Sequence, residues 1–288
     1  MKYWPYLSVV IPVYNGAKRI SGQLGALIAQ QYAGKWEIIV VDNNSTDNLA
    51  EVIDTWKQCC PRLRMVAAPA RQSRSYARNV GAQAAHGDAF LFCDDDDIVA
   101  PGWLMAFGAA LREHHLIAGM VETKKLNHGG PWRPAPSSGA KHKALGFLPY
   151  VISCNMAVSR AAFEAVGGFD EEVRVGQDID ISWRLHLAGY PVVDAPDAVV
   201  HYRFRSNMED LLKQMVQYSE AHVFLYKRFR RHGMHRRSAH NIWRQYYWLL
   251  RNITSLLRSR SKREYWLVKA AVCCGHIRGS LRYGILYL

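Results

Sequence analysis

Unbroken apolar runs, rather than alternation, mark the first hundred residues. Residues 7–11, 37–42, 63–67 and 89–93 each hold at least four apolar side chains, the second around an Ile-Ile-Val-Val core. Such runs predict strands buried on both faces. Between them, 18–31 and 75–85 have helical composition. Asn44-Ser45-Thr46-Asp47 reads as the cap of a further helix reaching about residue 58, since short polar oxygens can accept the free amides of a first turn. Strand alternating with helix implies a parallel sheet covered by helices. Later signals are a helix at 102–114, a strand at 117–123, a strand and helix at 152–158 and 160–166, and a Gly167-Gly168 turn. A helix beginning near Asp178 and a short strand at 198–200 follow. The stretch 128–143, rich in Gly, Pro, Ser and Lys, predicts a flexible loop able to act as a lid. From Met208 onward the chain looks helical.

In open α/β sheets, ligands bind beyond the carboxyl ends of the strands. That rule gathers Pro12–Asn15, Asp42–Ser45 and Asp94–Asp97 along one rim. Three polar loops meeting at one edge are the first functional signal.

Charge divides the chain in two. From His201 onward there are 18 Lys and Arg against 4 Asp and Glu, whereas the first 200 residues hold 19 against 20. The tail therefore carries the whole excess of +13, which implies an anionic partner for it or a solvated face. Six cysteines, two of them single and four in adjacent pairs, match neither a disulfide framework nor a Cys-x-x-Cys metal site, and suit reduced thiols. The apolar run after Leu7 contains Pro12 and lacks the flanks of a signal peptide, so it reads as a core strand.

Asp94-Asp95-Asp96-Asp97 directly follows an apolar strand. Four adjacent carboxylates repel one another unless solvated, placed at a helix start, or neutralised by a cation. Carboxylates without thiols suit a hard ion, Mn²⁺ or Mg²⁺, which commonly shares its shell with substrate phosphates.

Five ordered segments then carry a resemblance: VVIPVYNGAKRI, IIVVDNNSTDN, ARNVGAQAAHGDAFLFCDDDD, AVGGFDEEVRVGQDIDISWRLHLAGY and VVHYRF. Together they resemble the family-2 glycosyltransferases, over about two-thirds of the chain. The resemblance implies a GT-A fold with a mixed, mainly parallel central sheet, a nucleotide-sugar donor, a divalent cation (Mn²⁺ or Mg²⁺) and inversion at the anomeric carbon. By position, Pro12, Tyr14 and Asn15 correspond to the nucleotide loop and Asp42 to the base-binding aspartate. Arg71 and Arg74 stand as alternative contacts to the base or diphosphate. Asp94 and Asp96 match the family's Asp-x-Asp, with Asp94 toward the ribose or the ion's water shell and Asp96 as metal ligand. Asp95 and Asp97 support them, Asp95 on the nucleotide-sugar side. In Gly176-Gln177-Asp178, Gln177 departs from the usual Glu, but the Asp that serves as base is kept as Asp178. His201 is implied as a further metal ligand, and Asn155 as a residue near the sugar.

The resemblance implies a catalytic domain over 1–205, with a nucleotide-binding half (1–100) and an acceptor half (101–205), followed by a basic helical region over 206–288. No Gln-x-x-Arg-Trp motif occurs, which favours transfer of one sugar over polymer extension. The tail interleaves Arg and Lys with Trp, Tyr and Leu but has no apolar window of spanning length. It reads either as a peripheral anchor for a membrane surface, on the cytoplasmic face, or as a helical cap. No recognition motif supports nucleic acid as a partner. The acceptor implied is a glycan or a lipid-linked sugar. A catalytically silent nucleotide-sugar binder on the same fold is the alternative to an enzyme.

Overall fold

The structure, a computed structural model, describes residues 3–127, 136–204 and 207–287. They form two compact units. The first runs to Leu126 and resumes from Pro136 to Arg203; the second takes Asn127 and the described residues from Phe204 onward.

The first unit begins with β1 (Leu7–Val13), α1 (Ile20–Ile28), β2 (Trp36–Asp42), α2 (Leu49–Lys57), β3 (Leu63–Ala67), α3 (Arg74–Ala84) and β4 (Ala89–Phe92). It continues through β5 (Ile98–Val99), α4 (Trp103–Ala110), β6 (Leu116–Glu122), β7 (Gly139–Ala144), β8 (Leu148–Tyr150) and β9 (Met156–Ser159). It ends with α5 (Arg160–Ala165), α6 (Gln177–Leu187) and β10 (Val192–His201). Eight strands form one sheet in the order β3-β2-β1-β4-β9-β6-β10-β5. β3, β2, β1 and β4 run parallel, as do β6 and β10. β9 is antiparallel to both its neighbours, and β5 is antiparallel to the end of β10.

Strand side chains alternate between faces, and both faces are covered. Val9, Ile11 and Val13 of β1 join Ile20 and Leu24 of α1 and Trp103 and Phe107 of α4 in one core. Val10 joins Ala77 and Ala82 of α3 with Phe163, Phe169 and Ile181 in the other. Each fully buried Leu, Ile or Phe here contributes about 2 kcal/mol of transfer free energy. α3 lies close against the sheet because Gly81 faces it: a Cβ there would stand 2.4 Å from Val10 Cγ1.

Three expectations change. Of the stretch read as a lid, 128–135 lie outside the described residues, and the remainder leads into β7, which pairs with β8 as a hairpin. Residues 44–47 cap no helix: α2 starts at Leu49 without a side-chain cap, and those polar groups bind the neighbouring loop instead. Strand β9 also starts later than its apolar run, because Ile152–Asn155 is a turn closed by the Asn155 amide on Ile152 O at 3.0 Å.

β10 pairs with β6 in two registers. Ala195 faces Gly119 and Val199 faces Met120, so Pro196, Asp197 and Ala198 bulge out between them. Asn155 holds the bulge. Its Nδ2 donates to Met120 O and Ala198 O, both at 2.8 Å, and its Oδ1 accepts from Trp103 Nε1 at 2.7 Å. Gly119 leaves room for this, since a Cβ there would lie 2.3 Å from Asn155 Nδ2.

In the second unit, α7 (Met208–Phe229), α8 (Ala239–Arg251) and α9 (Arg260–Tyr283) are linked by 3-10 turns at Arg230–His232 and Ile253–Leu257. α7 and α9 lie side by side. Gly275 and Gly279 allow it, as Cβ atoms there would meet Val216 O at 2.3 Å and Val223 Cγ2 at 2.7 Å. Among the described residues no helix is long and apolar enough to cross a membrane.

Candidate active site

At the carboxyl rim the loops after β1, β2 and β3 are tied into one surface. Asn43, 5% exposed, is the knot: its amide bonds Val13 O, its Nδ2 bonds Ala68 O and Arg71 O, and its Oδ1 accepts from Ser73 N. Asn15, in a left-handed conformation (φ 50°), accepts from Thr46 N at 2.7 Å and donates its own amide to Ser45 Oγ at 3.0 Å. Asp42 accepts from Ser45 N, and Asp47 from Ala17 N, both at 2.9 Å. Pro12 is buried at the end of β1, and Tyr14 stands 48% exposed beside it. Pro12, Tyr14, Asn15 and Asp42 thus line adjoining loops.

The aspartates follow β4 and are treated unequally. Asp94 Oδ1 accepts from Arg78 Nη2 at 2.9 Å. Asp95 pairs with Arg19 at 2.8 Å, in space kept open by Gly16, where a Cβ would fall 2.4 Å from the Asp95 carboxylate. Burial, then the Asp96 charge, pushes Asp95 up to about 6 against the pull of Arg19. Asp97, 1% exposed, accepts from Arg203 N on one oxygen, while its other oxygen is buried with no partner. Burial, with the charges of Asp94, Asp96 and Asp95 around it, pushes Asp97 up to about 9.

Among the described residues, ligand atoms of Asp94, Asp96 and Asp97 lie within 4.8 Å of one another. Carboxylates gathered this closely, one of them with a buried orphan oxygen, fit a small hard cation. Asp97 thus joins the cluster, whereas Asp95 turns to Arg19.

His201 reaches this edge through the sheet: it pairs with Ile98, the residue after Asp97. Its Nδ1 is 2.9 Å from Glu122 Oε2 and its Nε2 3.2 Å from Lys125 Nζ, and it is not part of the three-carboxylate group.

Asp178 lies in the first turn of α6, which starts after Gly176 in a left-handed conformation (φ 79°). Its Oδ1 accepts from Ile179 N at 2.9 Å. Burial raises its pKa above the usual carboxylate range, against backbone hydrogen bonds and the charge of Arg78. Asp94, Asp97 and Asp178 all act on the buried Cys154 thiol, whose burial, reinforced by those charges, pushes its pKa well up. The acidic cluster and the candidate base therefore share one electrostatic neighbourhood. Ser182 fixes the base's turn, donating from Oγ to Asp178 O and accepting from Val151 N. The neighbouring Asp180 fastens the helix instead. Fully buried, it pairs with Arg184, which also binds Val166 O and Gly168 O.

Arg78 lies in the ARNVGAQAAHGDAFLFCDDDD segment with no role assigned to it there, and the structure brings it into this site. It is 1% exposed, paired to Asp94 and set over the Phe169 ring at 5.5 Å, with Nε and Nη1 buried and unpartnered. An arginine on the helix face otherwise lined by Ala77, Gly81 and Ala82 is the signal that marks it. Arg71 instead bridges to Glu172 at 2.8 Å, part of a seam in which Asn79 and Ser75 bind 169–173 to α3. Arg74 opens α3. Asn155, implied near the sugar, has its side chain committed to the β6–β10 bulge.

The comparisons with known proteins agree with this fold. A model of glycosyl transferase family 2 matches residues 8–167, and one of glycosyl transferase family group 2 matches residues 142–276. Glycosyltransferase AglE of Haloferax volcanii is 28% identical over 215 residues, which cover 73% of this chain and 71% of AglE. The matches cover under half the length of two further curated relatives. Mannosyltransferase PcManGT of Pyrobaculum calidifontis, solved in complex with GDP-Man and Mn²⁺, superposes with a TM-score of 0.66 at 17% identity, covering 96% of this chain and 87% of that one. TarS 1-349 of S. aureus, solved in complex with UDP, gives 0.59 at 21% identity, over 97% and 92%. The mixed, mainly parallel sheet is the GT-A fold, and the chain belongs to glycosyl transferase family 2.

Proposed function

We propose that the chain is a cation-dependent, inverting glycosyltransferase that moves a single sugar from a nucleotide diphospho-sugar to a hydroxyl of a glycan or lipid-linked acceptor. The observation that carries this reading is the gathering of Asp94, Asp96 and Asp97 in the same electrostatic neighbourhood as Asp178. Family membership and the GDP-Man, UDP and Mn²⁺ complexes of structural neighbours support it.

Residues 1–205 form the catalytic domain in this reading, with the nucleotide bound by 1–100 and the acceptor by 101–205, and 206–288 is an appended basic region. Tyr14, Asn15 and Asp42 receive the base and ribose, with Arg71 or Arg74 toward the base or diphosphate. Asp94, Asp96 and Asp97 would hold Mn²⁺ or Mg²⁺, with His201 at the margin of the site. A bound divalent ion supplies charge neutralisation for the departing diphosphate. Arg78 holds Asp94 in place and brings a buried positive charge beside the acidic cluster.

Asp178 accepts the acceptor's hydroxyl proton as the oxygen forms its bond to the anomeric carbon and the bond to the diphosphate oxygen breaks. One base opposite one leaving group gives a single displacement, hence inversion. A carboxylate raised above its usual range is better matched to that proton than an ordinary surface aspartate.

The test is a thermal-shift screen of nucleotide sugars with Mn²⁺, followed by transfer assays with the stabilising donor. Cation-dependent stabilisation and a product of inverted anomeric configuration are expected. Binding of a donor with no transfer to any acceptor and no slow hydrolysis would leave the silent-binder reading in its place.

A further inference from the structure

The three helices of the second unit are not used alike. α7 buries Leu211, Val223, Leu225 and Phe229, and α9 buries Val268, Ala271, Cys273 and His276. α8 buries none of its 13 residues. Its inner side is held by polar ties, with Gln245 Nε2 on Cys273 Sγ at 3.1 Å and Trp266 Nε1 on Leu249 O at 3.0 Å.

Its outer side is apolar. Trp243, Tyr247 and Leu250, spaced i, i+4 and i+7, are 61%, 45% and 72% exposed. Ile253 and Leu257 extend the stripe beyond the helix at 53% and 92%. The Trp243 and Tyr247 rings stack, with centroids 4.9 Å apart and planes 10° from parallel. A contiguous stripe of this kind is unfavourable in water and marks a surface that meets something.

The surrounding charge says what it meets. From Ala221 to Arg263 the chain has 12 Lys and Arg and no Asp or Glu. Arg244 and Arg251 lie beside the stripe on α8, and Arg251 Nη1 donates to the Tyr247 hydroxyl at 3.3 Å. An aromatic and aliphatic stripe with guanidinium groups at its polar edge is the pattern of a helix lying in a bilayer interface. There the ring bodies enter the acyl boundary while arginine stems follow them and their heads reach lipid phosphate. Nucleic acid would satisfy the charges but leave Leu250 and Leu257 in water.

We propose that the outer face of α8, with residues 253–257, docks in the plane of an anionic bilayer. Docking of this kind requires no donor, cation or acceptor, so it stands or falls separately from the transfer reading.

The test is flotation of the full chain with vesicles of phosphatidylcholine alone or mixed equally with phosphatidylglycerol. The wild type floats with the anionic vesicles and not with the neutral ones. Combining Trp243→Ser, Tyr247→Ser and Leu250→Ser weakens binding at least about tenfold. Arg244→Gln with Arg251→Gln weakens it about tenfold and flattens its salt dependence. The substituted side chains are exposed, so unfolding temperatures stay at the wild-type value. Three results would overturn the proposal: unchanged vesicle binding by the triple variant, wild-type retention on DNA or RNA without flotation, or a triple variant that loses self-association while still floating.

Discussion

Two buried carboxylates sit at opposite ends of the same sheet and have opposite fates. At the amino end, Glu37 is 5% exposed and fully enclosed by protein donors. Ser8 Oγ and His86 N bind one oxygen at 2.7 and 2.6 Å, and Arg64 Nε binds the other at 2.9 Å, with His86 Nδ1 at 3.2 Å. Burial pushes Glu37 up, but those hydrogen bonds outweigh it and hold it below the usual range. At the carboxyl end, Asp97 is as deeply buried, has one donor, and is surrounded by other carboxylates. The first is a closed structural joint. The second keeps, among the described residues, a buried oxygen with no donor, which distinguishes a place suited to a ligand from one that fastens the fold.

The largest expected effect tests the chemistry that the open end serves. Asp178→Asn should reduce turnover about 10²- to 10⁴-fold and leave donor affinity within about twofold; near-normal turnover would move the base elsewhere. Next, Asp96→Ala should weaken nucleoside diphosphate binding in Mn²⁺ by about 100-fold and abolish its dependence on the ion, read by calorimetry with and without chelator. Glu37→Leu should do the reverse. It costs about 2 kcal/mol in denaturant unfolding, because Arg64 and the His86 amide lose their acceptor, and it leaves nucleotide affinity unchanged.

A fourth effect is smaller and has a definite sign. Asp97 is raised in the folded state, so without an ion the folded chain binds more protons than the unfolded one between the ordinary aspartate range and about pH 9. Stability of the metal-free protein should therefore fall as pH rises through that window, in thermal melts with chelator. Added Mn²⁺ should oppose the fall, and Asp97→Asn should flatten it while removing the Mn²⁺ response. A metal-free stability that rises over this window would erase the contrast with Glu37.

The parallel half of the fold was legible because strands buried on both faces leave unbroken apolar runs. The predicted strand at 63–67 coincides with β3, and the rim rule placed Pro12–Asn15, Asp42–Ser45 and Asp94–Asp97 along adjoining loops. The antiparallel additions were harder to see. β5 has two residues and β8 three, too short for any periodicity, and β5 pairs with a strand distant in sequence. Residues 44–47 misled for a chemical reason: the oxygens that suit a helix cap equally suit a neighbouring loop's amides. Within the site, the aspartate run was conspicuous but its division was not. Whether an aspartate faces Arg19, Arg78 or the Arg203 amide is decided by tertiary contacts 16 to 106 residues away. Asn43 and Arg78 lie in the resembling segments but drew no role of their own, because one resembles any loop asparagine and the other any surface arginine until burial is known.

The bulge in β10 bears on how lineages of this protein can vary. Three residues are spliced into the strand between its two stretches of pairing, and Asn155 and Gly119 are shaped to hold that number. Pro196 and Asp197 are exposed and look like ordinary surface, the kind that tolerates insertion and deletion. Yet losing one residue there would slide His201 off Glu122 and Ile98 and reverse the side it presents. Side chains at 196 and 197 are free to drift, while the count of residues between Ala195 and Val199 is not: a length constraint hidden in a segment that composition alone would pass as neutral.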